Sequence, residues 1–285
     1  MRLLVTGAGG QVGKEFLEEA VAHPIFAEVM GTTREQLDFT DRSQVFDAVT
    51  GFAPDWIVHL GAMTAVDACE DDPDAAYLAN ALSVRYLKQA ARRTGSRICY
   101  LSTDYVFDGT ASTPYREWDP TSPLSVYGKS KLAGEAELDT DDLIVRTSWV
   151  MGRYGRNTLK TILTLARAEG AVRFVADQVG SPTVVEDLAG AVATLILEDM
   201  SGVFHLTNQG HLSWYELVRF VFAEVGADQA RVVPIDSSEI AATRKAPRPA
   251  YSVLDNCAAR LAGLAPMPDY RESVAKLARQ LWLAG

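Results

Sequence analysis

Cysteine is scarce in this chain. Its 285 residues hold three, Cys69, Cys99 and Cys257, widely spaced and forming no CxxC pair. An odd, scattered set of thiols argues against a disulfide framework and reads as free thiols in a reducing compartment. The four histidines, His23, His59, His205 and His211, show no HExxH or related spacing, so no zinc site is expected. Basic residues are outnumbered, with 27 Lys and Arg against 37 Asp and Glu, and the net charge is -10. Such a chain lacks the basic footprint of a nucleic-acid binder and matches an anionic membrane surface poorly. No apolar run is long enough to span a bilayer. The N-terminal run Leu3–Val5 is too short for a signal peptide, so a cytoplasmic location is expected. What is present is ordinary for a globular protein with a proper core, at 48% hydrophobic and 22% charged. The length suggests one large domain or two modest ones. Acidity does not exclude a phosphate-bearing ligand, because a helix N-terminus binds phosphate without net positive charge.

The first half alternates β-rich runs with amphipathic patterns. Strands are expected at Arg2–Thr6, Glu28–Thr32, Trp56–Leu60, Arg97–Ser102 and Leu143–Arg146. Helices are expected over Gly13–Val21, Ser43–Val49, Pro73–Thr94 and about Ser125–Leu138. This alternation predicts βαβ units, an α/β fold with a parallel sheet, and ligands at the carboxyl ends of the strands. In the second half, helices are expected over Asn157–Glu169, Val185–Leu197, Trp214–Val225 and near Tyr270–Trp282. Strands are expected at Arg173–Ala176 and Gly202–Leu206, and Gly180–Thr183 reads as a turn. Ser213 and Glu216 have the spacing of a capping box. Arg244–Pro249, with three basic residues and two prolines, reads as a loop.

The first expected strand runs into Gly7-Ala8-Gly9-Gly10-Gln11-Val12-Gly13. Gly7 suits a tight strand-to-helix turn, Gly10 lets backbone approach a pyrophosphate, and Gly13 lets the helix pack on the sheet. Gln11 and Val12 fall at the helix N-terminus, where free N–H groups face phosphate. The second strand ends in Gly31-Thr32-Thr33-Arg34 without an acid at its tip. Arg34 could pair with a 2′-phosphate, which favours NADPH and leaves NADH open. Asp38 and Phe39 are expected beside the adenine. Gly61, Ala62, Met63 and Thr64 follow the third strand and are expected to line the cofactor.

Tyr127 and Lys131 form a YxxxK pair, one turn apart on one helix face. A carbonyl that receives hydride must also receive a proton, and a tyrosine hydroxyl can supply it. A neighbouring ammonium is expected to pull the tyrosine pKa down, and could also bind the nicotinamide ribose. Thr103 closes the fourth expected strand and could hydrogen-bond the keto oxygen.

The glycine turn, Thr103 and the Tyr127/Lys131 pair together resemble the extended short-chain dehydrogenase/reductase family. Thr64–Asp67, Ser102–Gly109, Val126–Glu135, Arg146–Val150 and Asp177–Thr183 narrow the resemblance to the dTDP-4-dehydrorhamnose reductases, with His205 and Arg248-Pro249 also in order. The resemblance implies a Rossmann-like, doubly wound domain over residues 1–150. A smaller substrate domain would cover 151–285, with about 177–206 returning to the first. It implies reduction of dTDP-4-dehydro-6-deoxy-L-mannose at C4 to dTDP-L-rhamnose. Tyr127 would be the proton donor, Thr103 the carbonyl partner and Lys131 the ribose-binding, pKa-tuning residue. Asp104, Tyr105 and Trp149 would border the sugar, and Asn80 resembles the family asparagine that connects the lysine to solvent. Arg244, Lys245 and Arg248 are candidates for the diphosphate. Some relatives hold magnesium through glutamates. Glu15 and Glu186 are the candidates here, but no third was found and no metal is expected. A homodimer is a fair expectation. Two other roles fit the same fold: a non-catalytic regulatory subunit of a methionine adenosyltransferase, and a nucleotide-sugar epimerase or dehydratase.

Overall fold

A computed structural model describes residues 1–285. β1 (Arg2–Thr6) leads through the glycine turn into α1 (Gln11–Ala22), followed by β2 (Glu28–Thr32), α2 (Arg42–Phe52) and β3 (Trp56–His59). Two short helices, α3 (Val66–Asp71) and α4 (Pro73–Tyr77), and a π-helical turn over Leu78–Leu82 precede α5 (Ser83–Thr94). β4 (Arg97–Thr103), α6 (Val126–Glu135) and β5 (Leu143–Thr147) complete the first half. The second half opens with β6 (Val150–Met151), α7 (Thr158–Arg167), β7 (Val172–Val175), β8 (Val179–Gly180), β9 (Thr183–Val184) and α8 (Val185–Leu197). It continues with β10 (Gly202–His205), β11 (Leu212–Ser213), α9 (Trp214–Glu224), β12 (Val232–Ile235), α10 (Cys257–Leu261) and α11 (Tyr270–Ala284).

Six strands form one parallel sheet in the order β2-β1-β3-β4-β5-β10. The fold is α/β and Rossmann-like. Winding reverses between β1 and β3, which opens a crevice at their carboxyl ends. Side chains alternate across each strand, so the sheet has two cores. Leu3 and Val5 face Phe16 of α1 and Leu188 and Val192 of α8. Leu4, Ile57 and Ile98 face Val45 and Val49 of α2 and Leu87 of α5. A separate core gathers Leu159 of α7, Leu217 and Phe222 of α9 and Val274 of α11 over Val172 and Val232. β7 and β12 pair there, apart from the main sheet. No helix is long and apolar enough to cross a membrane.

Helix starts follow side-chain chemistry. Asp41, Ser125 and Asn157 accept first-turn N–H bonds for α2, α6 and α7, and Ser213 with Glu216 closes a capping box on α9. The expected single helix over Pro73–Thr94 is instead interrupted at the π turn. The wide turn frees the Asn80 carbonyl, which accepts from the Tyr100 hydroxyl at 2.8 Å. α3, β12 and α10 were not expected, since four to six residues are too few to show a period. The expected turn at Gly180–Thr183 is bounded by two-residue strands: β8 pairs with β11 and β9 with β6.

Candidate active site

The crevice between β1 and β3 is built from backbone. Gly7 has φ 74°, and a Cβ there would lie 2.5 Å from the Gly61 nitrogen. A Cβ on Gly13 would lie 2.2 Å from the Gly7 carbonyl. Only glycine permits this approach of turn, helix and neighbouring strand. The N-terminus of α1 has no side-chain cap, and its first intrahelical bond is Lys14 N–H to the Gly10 carbonyl. The N–H groups of Gln11, Val12 and Gly13 therefore have no partner within the helix. A cradle of this shape and polarity fits a dinucleotide pyrophosphate.

A cavity of about 530 Å³ runs from this cradle past the carboxyl ends of β3, β4 and β5. Gly10, Gln11, Val12, Gly13, Ala62, Thr64, Thr103, Asp104, Tyr105, Tyr127, Lys131 and Trp149 all line it. Gly61 lies behind the wall against Phe39, and Met63 packs with Cys69 and Tyr127. Phe39 stands edge-on to His59 at 5.2 Å. Asp38 is bonded locally to Thr40, which holds its pKa down. Arg34 is exposed beyond the end of β2, outside the cavity lining.

Tyr127 and Lys131 are carried on α6 and buried at 9% and 2% exposure. Tyr127 and Thr103 line the same cavity, and Thr103 Oγ1 accepts the Tyr105 N–H at 3.2 Å and donates to Asp104 Oδ1 at 3.0 Å. Burial pushes Asp104 up to about 6, and its Oδ2 has no partner. The expected lowering of the Tyr127 pKa is not found: burial raises it, and Lys131 is not among the charges acting on it. The Lys131 amine is turned elsewhere. It donates to the Leu101 carbonyl at 2.7 Å and lies 3.9 Å from the centre of the Tyr100 ring. Burial brings that amine down to about 7. Asn80 does not touch Lys131 in this structure. It donates to Ser130 Oγ at 2.9 Å and pairs with both backbone groups of Met63, bracing the Met63 loop to α6.

Trp149 stands at φ 46°, a left-handed backbone rare for a bulky residue. Its ring stacks on Trp214 at 3.6 Å, and a Cβ on Gly180 would strike it at 2.5 Å. Trp214 also lines a second cavity of about 410 Å³, which shares Tyr105 and Thr158 with the first. Arg173, Arg244 and Arg248 bring positive charge to it and Phe174, Ile235 and Ile240 bring apolar surface. Lys245 lies outside this lining, paired with Asp71. Trp214 and Arg173 were not picked out from sequence, because nothing local distinguishes them from surface or core residues. Glu15 accepts from the Arg153 backbone at 2.6 Å and Glu186 pairs with Lys276, so each is held by a separate cation-bearing partner.

The chain matches the model of the RmlD substrate binding domain over residues 1–282. It belongs to that family. It is 42% identical to the dTDP-4-keto-6-deoxy-D-glucose reductase of Streptomyces niveus, over 93% of this chain and 92% of that protein. It is 39% identical to the dTDP-4-dehydrorhamnose reductase of Sinorhizobium fredii, over 100% and 99%. Among solved structures, the dTDP-4-dehydrorhamnose reductase of Bacillus anthracis in complex with NADP superposes with a TM-score of 0.93 at 36% identity, covering 98% of this chain and 99% of that one. Membership of the RmlD family accords with the resemblance carried by the glycine turn, Thr103 and the Tyr127/Lys131 pair.

Proposed function

We propose that this protein reduces the C4 keto group of dTDP-4-dehydro-6-deoxy-L-mannose to dTDP-L-rhamnose, with NADPH as the preferred reductant and NADH as the second. The observation that carries this reading is that Tyr127 and Thr103 meet in one cavity that joins the glycine cradle to an arginine-lined neighbour. A nicotinamide dinucleotide held by Gly7, Gly10, Gln11, Val12 and Gly13 would supply the hydride. Every other step belongs to the protein. The Thr103 hydroxyl turns its proton from Asp104 Oδ1 to the keto oxygen and orients that oxygen toward Tyr127. The Tyr127 hydroxyl gives its proton to that oxygen as it becomes the C4 hydroxyl. Lys131 reaches the ribose hydroxyls once its amine leaves the Leu101 carbonyl, and its charge then favours the phenolate. Asp104, Tyr105 and Trp149 form the sugar wall. Arg244 and Arg248 face the diphosphate.

We take residues 1–150, with the returning segment at about 177–206, as the cofactor unit, and the rest of 151–285 as mainly the substrate unit. The α1–α8 contact and the place of β10 in the main sheet support that division. Arg34, Asp38 and Phe39 border the adenosine end in this reading. The protein is taken as a cytoplasmic homodimer, which light scattering and cell fractionation test. A specific observation keeps a second sugar in view: the Streptomyces niveus relative is named for the D-glucose configuration. The test is cofactor oxidation with each of the two dTDP-4-keto sugars, made in situ, with NADPH and separately with NADH. Oxidation that depends on dTDP-4-dehydro-6-deoxy-L-mannose and yields dTDP-rhamnose supports the reading. Oxidation with only the D-glucose-configured sugar would replace the substrate. Cofactor binding without oxidation of either would favour a regulatory role.

A further inference from the structure

The short helix α3 carries two carboxylates three residues apart, Asp67 and Glu70, that reach opposite sides of the site. Asp67 accepts four hydrogen bonds from one loop. Its Oδ1 takes the N–H groups of Lys245 and Ala246 at 3.0 and 2.9 Å and Arg248 Nη1 at 2.6 Å, and its Oδ2 takes Arg248 Nη2 at 2.7 Å. Arg248 lines the second cavity together with Tyr105, whose ring meets Tyr127 edge-on at 5.5 Å. Glu70 turns the other way. Its Oε1 accepts the Val126 N–H at 2.8 Å, a free donor at the start of the helix that carries Tyr127.

We propose that Asp67 and Glu70 are positioning residues: Asp67 sets the Arg248 fork at the wall of the anion cavity, Glu70 sets the start of α6, and α3 keeps the two in register. The inference rests on the nucleotide-sugar reading above. The competing reading makes Asp67 a stand-in anion that a diphosphate must displace. Two features decide against it. Half of Asp67's bonds go to backbone N–H groups that a ligand would leave unpaired, and Arg244 lines the same cavity with no acid on it, bonded only to Gln178. The anion therefore has a free cation to meet and a second one already aimed. The long Arg248 side chain enters binding with its rotamer already fixed.

The two roles separate in measurement. Calorimetry with dTDP alone reads the cavity without turnover. Asp67→Asn should weaken dTDP by ~10-fold or more, the effect of losing a charge-assisted pair, with NADPH affinity unchanged. An unchanged or tighter dTDP affinity would overturn the assignment and make Asp67 a competitor. Glu70→Ala should lower kcat by ~10-fold at an unchanged KM for the sugar nucleotide, because the proton donor is displaced and the anion cavity is not. Glu70→Gln keeps an acceptor oxygen and should recover most of that loss. Equal losses in the Ala and Gln forms, or parallel losses in kcat and dTDP affinity in Glu70→Ala, would overturn the positioning role. Wild-type protein that binds no dTDP would instead overturn the nucleotide-sugar reading, and the two failures are distinct.

Discussion

Tyr127 and Lys131 show how one environment can oppose the chemistry that spacing suggests. The i, i+4 pattern puts both side chains on one face of α6, yet each is buried: burial holds the Tyr127 hydroxyl protonated to higher pH and brings the Lys131 amine down to about 7. Tyr127→Phe removes the hydroxyl that α6 brings into the cavity beside Thr103, and turnover should fall by roughly 10²–10⁴-fold with NADPH binding nearly intact. Steady-state rates beside fluorescence titration check this. Lys131 makes a prediction of opposite sign for stability. Its folded pKa is brought down from 10.5 to about 7, so its contribution to stability is full only above its unfolded value and is lost as pH falls through about 7. Lys131→Met should therefore abolish useful turnover and raise the thermal midpoint at pH 6, by at least ~2–4 °C, the shift that 1 kcal/mol produces in a chain of this size. Calorimetric scans at pH 6 and pH 9 check it, and the gain should shrink at the higher pH. Arg34→Ala should lower the preference for NADPH over NADH and leave the NADH rate unchanged. A preference unaltered in steady-state assays would place the 2′-phosphate elsewhere.

At the scale of elements, α6 is fixed by contacts that leave no room for side chains. A Cβ on Gly134 would lie 2.2 Å from the Asn80 carbonyl and 2.5 Å from the Tyr100 hydroxyl, where α6 crosses the π turn. Gly134→Ala should cost about 1–3 kcal/mol, the usual penalty of an overpacked contact, and chemical denaturation would read it. Turnover should fall further than stability alone explains, because α6 carries Tyr127. The strand–turn–helix entry at Gly7–Gly13 was legible in the sequence because glycine spacing, strand and helix are all local there. The π turn was not, since Asn80 within it pairs with Tyr100, Ser130 and Met63 from other elements. The short helix α3 was equally hidden, although its Thr64–Asp67 approach formed part of the family resemblance.

For the whole molecule, two cavities share one wall. Tyr105, Thr158 and Trp214 line both, and the Trp149–Trp214 stack sets β6's approach against α9. dTDP should accordingly compete with the sugar nucleotide and leave the NADPH site accessible. Inhibition kinetics should be competitive against the sugar nucleotide and not against NADPH, and Arg244→Ala should weaken dTDP by ~10-fold. The sequence by itself determined the parallel α/β class and the glycine-rich strand–turn–helix, and it singled out Thr103, Tyr127 and Lys131 as candidates, because each rests on a period or spacing within one or two consecutive elements. Only the tertiary structure decided the rest. Arg248 meets Asp67 across 181 residues, Trp149 finds Trp214 on another element, and the Lys131 amine turns to Leu101 and Tyr100. Pairings of that kind depend on how the separate second core packs against the sheet and on which buried groups find partners, and no local pattern encodes either.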